Sequence, residues 1–228
     1  MDKTVIRDAA TVIVLRSAAD SPAVLMGQRG ANAAFMPNKF VFPGGAVDAG
    51  DADVPLFHPV GAPCRERLAG AGPEPGTIAA AAIRELWEET GLVLGKPARW
   101  TDPAPDWMKF AETGHRPDAA PLRFVFRAIT PPGRPRRFDA RFFLVDAAQI
   151  AGDLDDFSLA SDELRHLQWV PLHEARRFDL PFITEIVLAD IAMRLPDLSA
   201  PTNVPFFKND DEDSAILALG PDPWARDS

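Results

Sequence analysis

The chain has 228 residues, a length suited to one large domain or one domain with insertions. Hydrophobic residues make up 46% and charged residues 25%, which excludes a mainly disordered chain. The net charge of −9 argues against a general nucleic-acid binder, and the single cysteine, Cys64, excludes an intrachain disulfide or a cysteine zinc site.

Prolines cluster at 55–75, 97–105, 131–135 and 196–205, and mark these stretches as loops or turns. Between them, short apolar runs predict strands. Residues 10–15 and 23–28 form the first two, and 39–42 is a short strand ending at Pro43-Gly44-Gly45. A helix is predicted over 77–92, with Gly91 near its end. Residues 122–129 and 138–145 read as a hairpin around the proline cluster at 131–135, and 166–170 as a further strand. Residues 173–177 suggest one helical turn. A second main helix follows at 181–195, with Ile183, Ile186, Val187, Ile191 and Leu195 on roughly one face. The mixture predicts an α/β/α-type or α+β fold. No apolar run approaches the ~20 residues of a membrane span, and no secretory leader is evident. With one cysteine, the expectation is a cytoplasmic protein without a membrane partner.

The helix at 77–92 carries most of the chemistry. At 100° per residue, Glu85, Glu88 and Glu89 fall on one face, and Ala79, Ala82, Ile83 and Leu86 form a separate apolar stripe. Arg84 stands four residues before Glu88 and can pair with it. Three converging carboxylates repel unless something positive joins them, and hard divalent cations favour such oxygen ligands. The alternative is a solvated acidic face. Upstream, Gly44 and Gly45 end a strand and permit a ligand to approach the backbone, or make a plain tight turn.

Together, Gly45 and Arg84-Glu85-Leu86-Trp87-Glu88-Glu89-Thr90-Gly91-Leu92 resemble the signature of the Nudix hydrolases, G-x5-E-x7-R-E-U-x-E-E-x-G-U with U a bulky aliphatic residue. The second half matches at every fixed position. Asp51 stands where the pattern has Glu, and residues 52–83 stand where it has seven residues. The resemblance implies a mixed β-sheet sandwiched between helices, with the signature as a loop-helix-loop interrupted by an insertion at about 52–76. A C-terminal extension would run from about 196 to 228. It also implies Mg²⁺- or Mn²⁺-dependent hydrolysis of a small-molecule diphosphate. Glu85, Glu88, Glu89 and the Gly45 carbonyl would then be metal ligands, with Arg84 orienting the glutamates. Glu163, or Asp162 beside it, would serve as general base or extra ligand; a solvated loop carboxylate is the alternative.

Phe40-Val41-Phe42-Pro43-Gly44-Gly45 followed by Asp51 is similar to the coenzyme A diphosphatase branch, as are the long interruption, the 137–143 strand, and Val204-Pro205-Phe206-Phe207 before a further hairpin. The implied reaction cleaves coenzyme A or acyl-CoA to 3′,5′-ADP and a phosphopantetheine. ADP-ribose, nucleotide sugars and dinucleotides are alternative substrates. A non-catalytic nucleotide-binding module and an interaction protein with an acidic helix are alternatives of other classes.

For the substrate, Arg29 at a strand end and the arginine-rich stretch Arg134, Arg136, Arg137 and Arg141 are candidate phosphate ligands. Alternation places Arg137, Asp139 and Arg141 on one strand face, either binding or solvated, and Phe138, Ala140 and Phe142 on the other. Trp100 and Trp107 read as core anchors before they read as a stacking platform. The four histidines show no metal spacing. The insertion reads as a lid or a flap, and 209–213 as a solvated turn. The resemblance allows a homodimer, although no interface signature stands in the sequence.

Overall fold

A computed structural model describes residues 5–70, 72–209 and 214–219. Its elements are β1 (Ile6–Arg16), β2 (Ala23–Arg29), β3 (Phe40–Val41), β4 (Gly44–Ala46), α1 (Ala62–Leu68), α2 (Pro75–Thr90), β5 (Gly95–Pro97), α3 (Met108–Glu112), β6 (His115–Pro117), β7 (Arg123–Ile129), β8 (Arg137–Asp146), β9 (Leu164–Pro171), α4 (Phe182–Arg194), β10 (Val204–Asn209) and β11 (Ser214–Leu219). Short 3₁₀ turns at Ala49–Asp53, Pro105–Trp107, Ala147–Gln149 and Leu172–Arg177 complete the order.

A mixed sheet runs β11-β10-β7-β8-β1-β2-β3, with β9 paired to β2 and β4 paired to β1. The β1–β8 and β10–β7 pairs are parallel and the others antiparallel. Two apolar faces of β1 explain its central place. Ala10, Val12 and Val14 pack with α2, whereas Ile13 and Leu15 join the cluster that contains Val187, Leu188 and Ile191 of α4. The sheet is therefore sandwiched between helices, as the alternation of the strands requires.

One edge of β1 is forked. Its C-terminal end pairs with β2 through Leu15 and Arg16, and its N-terminal half pairs with β4 through Ala9, Ala10 and Thr11. The chain crosses the gap at Pro43, whose carbonyl accepts the Val12 N–H at 2.8 Å. The fork sets Gly44 and Gly45 beneath the end of α2.

The expected α2 stripe is widened in the structure: Ile78 through Ile83 and Leu86 are all fully buried. Part of the added cover comes from the insertion, which is packed onto the α2-side core through Val60 and through Cys64 and Leu68 of α1. The Phe124 N–H donates to Cys64 Sγ at 3.3 Å, tying α1 to β7. Trp107 is buried and packs at a tilt against Trp100 and edge-on against Phe110, which in turn meets Trp87 edge-on, and this is the core-anchor arrangement. The expected late hairpin is β10–β11. Of the 209–213 run, Asn209 is buried and its Nδ2 donates to Ile129 O at 2.7 Å; 210–213 lie outside the described residues.

Candidate active site

Arg84 is the centre of the acidic site. It is 5% exposed and points from α2 towards the turn after β4. Its Nε and Nη2 bond both oxygens of Asp51, at 2.9 and 3.0 Å. Nη1 donates to Glu85 Oε1 at 2.9 Å and to Glu88 Oε2 at 3.2 Å, and Nη2 also reaches the Ala46 carbonyl at 2.9 Å. Asp51, at the position where the signature has Glu, thus makes a bidentate pair of the kind guanidinium favours. The insertion after it leaves this pairing intact, because Asp51 sits on its own 3₁₀ turn with Asp51 Oδ2 accepting the Asp48 N–H at 2.9 Å.

Glu89 takes the opposite side of the site. It is 1% exposed, and its Oε2 accepts the Gly44 N–H at 2.7 Å. Its Oε1 is buried without a partner. Such an orphaned acceptor is costly unless a proton or a cation meets it. Gly45 is required where it stands: a Cβ there would lie 2.5 Å from the Glu85 carboxyl. The backbone therefore approaches the glutamates as closely as it can.

Burial pushes the Glu85 carboxyl up to about 7, against the pull of Arg84, with Glu88 and Glu163 adding to the rise. Burial also raises Glu88, and raises Glu89 well above the ordinary carboxylate range, in the latter case helped by Glu85. Three carboxyl groups resisting ionisation on one helix face are a site that favours an added positive charge. Their oxygens and the orphaned Glu89 Oε1 suit a hard divalent cation. Among the described residues they do not already close into a chelate of three or more side chains, since Arg84 holds Glu85 and Glu88 and the Gly44 N–H holds Glu89.

Glu163 comes to the same place from a distant part of the chain. The Ser161 N–H donates to the Glu88 carbonyl at 2.8 Å, and Gly91 leaves just enough room for Leu159. These contacts hold the loop before β9 against the C-terminal end of α2. Glu163 stands near enough to Glu85 and Glu89 to raise both, and its Oε1 accepts from Arg29 Nη2 at 3.0 Å. Arg29 lies at the end of β2, and its Nε is buried and unpaired. Asp162 is exposed beside Glu163.

Arg137 and Arg141 are not presented to a ligand. The alternation of β8 holds, but the face carrying both arginines is buried. Arg141 is 1% exposed and pairs with Asp8, with Asp139 Oδ2 at 3.4 Å and with the Asp139 carbonyl at 2.8 Å. Arg137 donates to the carbonyls of Thr130 and Asn209. Asp139 is further gripped by Arg127, at 2.9 and 2.6 Å. The expected phosphate ligands are thus structural. Asp8 and Asn209, which engage them, come from β1 and β10, and Arg127, which grips Asp139, comes from β7; no local spacing announces these partners.

Comparison with known proteins identifies the family and the fold. The NUDIX domain profile matches residues 59–190. The chain is 31% identical over 176 residues to "Putative nudix hydrolase 7" of Caenorhabditis elegans, covering 72% of this chain and 51% of that protein. It thus spans about half the length of that curated relative. A NUDIX hydrolase from Alicyclobacillus acidocaldarius superposes with a TM-score of 0.67 at 27% identity, covering 88% of this chain and 100% of that one. The MutT protein from Methanosarcina mazei shares the fold alone, with a TM-score of 0.50 at 14% identity over 85% and 98% of the two chains. With the profile spanning more than half of its length, the chain belongs to the NUDIX domain family.

Proposed function

We propose that the protein hydrolyses the diphosphate linkage of a nucleoside diphosphate derivative, with Mg²⁺ or Mn²⁺ held by Glu85, Glu88, Glu89 and the Gly45 carbonyl. The observation that carries this reading is the orphaned, buried Glu89 Oε1 beside two further glutamates whose carboxyl groups are held above their ordinary range. A divalent cation bound there supplies charge neutralisation, polarisation of the phosphoryl group and a more acidic bound water.

The side chains divide the remaining work. Arg84 is a positioning residue: anchored by Asp51, it holds Glu85 and Glu88 in one orientation. Gly44 and Gly45 keep the β4 backbone close to the glutamates and to a diphosphate lying over them. Glu163 is the general base. Arg29 bonds one of its oxygens and leaves the other to take a proton from an attacking water. Arg29 also presents positive charge to a phosphate next to the acidic cluster, where the helix offers only Arg84, already held by Asp51, Glu85 and Glu88.

The substrate we propose is coenzyme A or acyl-CoA, cleaved to 3′,5′-ADP and the corresponding phosphopantetheine. The reading rests on the resemblance of the 40–45 segment followed by Asp51, of the long interruption after it and of the 204–207 segment to the coenzyme A diphosphatase branch. The test is a hydrolysis screen with Mg²⁺ and Mn²⁺ over coenzyme A, acetyl-CoA, ADP-ribose, NADH and a diadenosine polyphosphate, with products identified by mass. Preferential release of 3′,5′-ADP from coenzyme A is expected. Preference for ADP-ribose or NADH retains the metal site and refutes the substrate.

A further inference from the structure

A cavity of about 410 Å³ opens beside the acidic cluster, sharing Glu163 and Arg29 with it. Its other walls are the 30–34 turn, Arg136 just before β8, and Arg165 of β9. Three guanidinium groups face two carboxylates, Asp162 and Glu163, and the latter is already bonded to Arg29. Arg136 and Arg165 are exposed and have no ion-pair partner among the described residues. Arg29 Nε is buried with an unused proton. In a chain of net charge −9, this is a local excess of unengaged cationic donors.

The fold builds these walls deliberately. Phe35 packs edge-on against Phe138 at 5.3 Å, fastening the loop after β2 to the start of β8 and setting Arg136 opposite the 30–34 turn. The Ala33 N–H closes a turn on the Gly30 carbonyl at 3.0 Å, and the Asn38 N–H donates to the Arg29 carbonyl at 3.1 Å. On the far wall, the β2–β9 register shifts between Met26 and Gln28. His166 absorbs the extra residue with φ of 52°, a conformation a non-glycine side chain adopts at a cost. The bulge breaks the alternation of β9, so that Leu164 is buried and Arg165 faces the cavity. The lining is small and charged, with no aromatic side chain for a base to stack on.

We infer that this cavity is a subsite for a phosphomonoester carried by the substrate in addition to its scissile diphosphate, bound by Arg29, Arg136 and Arg165. A phosphate dianion offers three acceptor oxygens to guanidinium forks. The inference rests on the diphosphatase reading of the adjacent cluster and deepens it: the substrate class becomes diphosphates of a nucleotide bearing a second phosphate. It transfers to Arg136 and Arg165 the recognition that Arg137 and Arg141 cannot perform.

The test is calorimetric binding to the full chain carrying Glu89→Gln, without added metal, so that no turnover is needed. The ligands are adenosine 3′,5′-bisphosphate and 5′-AMP. The bisphosphate is expected to bind at least about 10-fold more tightly, the worth of a charge-assisted hydrogen bond. Adding Arg136→Ala and Arg165→Ala is expected to bring the ratio near one. Ala33→Glu, which places a carboxylate on the opposite wall without touching either arginine, should do the same. Equal affinities for the two nucleotides, or a preference that survives both variants, would overturn the inference. Separately, metal-dependent hydrolysis by the wild-type chain is followed on coenzyme A and dephospho-coenzyme A. Absence of turnover on both refutes the diphosphatase reading, whereas the subsite stands or falls on the binding ratio.

Discussion

Asp51 shows how one residue compensates for a changed position in a motif. The family pattern has Glu there, and this chain has an Asp followed by a long insertion. The shorter carboxylate still reaches both Nε and Nη2 of Arg84, because the Ala49–Asp53 turn brings it within 3.0 Å. Arg84 is buried and Asp51 gives it its one bidentate pair, so removing that charge leaves the Nε and Nη2 side of the guanidinium poorly compensated. Asp51→Asn is therefore expected to cost about 3 kcal/mol in denaturant unfolding, and to lower kcat by loosening Glu85 and Glu88. A variant with wild-type stability and rate would show that Asp51 has no such hold. That Glu85, Glu88 and Glu89 share one helix face was legible from residue type and spacing, whereas Gly45 was legible only through the family resemblance, since Gly44-Gly45 alone reads as a plain tight turn. The Arg29–Glu163 pair was legible only as two separate candidates, since 134 residues part them and the β2–β9 pairing joins them. Arg137 and Arg141 mislead for the same reason: their density suggests a binding patch, but Asp8 and Asn209 come from distant strands.

At the scale of the element, α2 couples stability to the site. Pro75 starts it, and Gly91 ends it in the left-handed region at φ of 74°, with the Gly91 N–H bonding the Trp87 carbonyl at 2.7 Å. A Cβ at Gly91 would lie 3.0 Å from Leu159 Cβ, on the loop that carries Glu163. Gly91→Ala is expected to lose about 1 kcal/mol of stability for the left-handed backbone. It should also lower kcat/KM by more than that loss explains, because the 157–163 segment is pushed outward. Measuring unfolding and steady-state rates on the same variant separates the two; an unchanged kcat/KM would disconnect the loop from the site. Helix α2 was readable over 77–92 from its motif and its glycine stop. Helix α1 was not, since seven residues are too few for a periodic signal and its surroundings are rich in proline and glycine. What identifies α1 is tertiary: Cys64 and Leu68 fill space between α2 and β7.

For the whole molecule, the sandwich is a way of holding like charges together. The apolar layers on both faces of β1 and β8 supply the rigidity, and the forked edge of β1 is where the glutamates are gathered. Among the described residues no helix is long and apolar enough to cross a membrane. The strand layout and two main helices were expected from alternation and proline punctuation. The β1–β8 parallel pairing was not, because it joins residues about 130 apart with no turn to signal it. A thermodynamic consequence follows from Glu85. Its folded carboxyl is raised from 4.5 to about 7, so the native state keeps a proton that the unfolded chain releases first. Without divalent cations, stability is therefore full below pH 4.5 with respect to this group and falls as pH rises to about 7, by about 3 kcal/mol. Mg²⁺ or Mn²⁺ should restore it above pH 7. Unfolding curves at pH 5 and 8, with and without metal, check both signs; a metal-free protein more stable at pH 8 than at pH 5, or one indifferent to metal at pH 8, would contradict this.

The most direct measurement is the turnover of coenzyme A by the wild-type chain and by Glu89→Gln, with and without Mg²⁺ or Mn²⁺, alongside the thermal midpoint of each. Gln keeps the acceptor for the Gly44 N–H and resembles the protonated carboxyl that burial favours, so the fold should be retained. The account predicts metal-dependent release of 3′,5′-ADP by the wild type, and a loss of roughly 100- to 1,000-fold in the variant at an unchanged metal-free thermal midpoint, since several kcal/mol of transition-state stabilisation go with a displaced metal. Near-wild-type turnover by Glu89→Gln, or wild-type turnover indifferent to chelation, would contradict it.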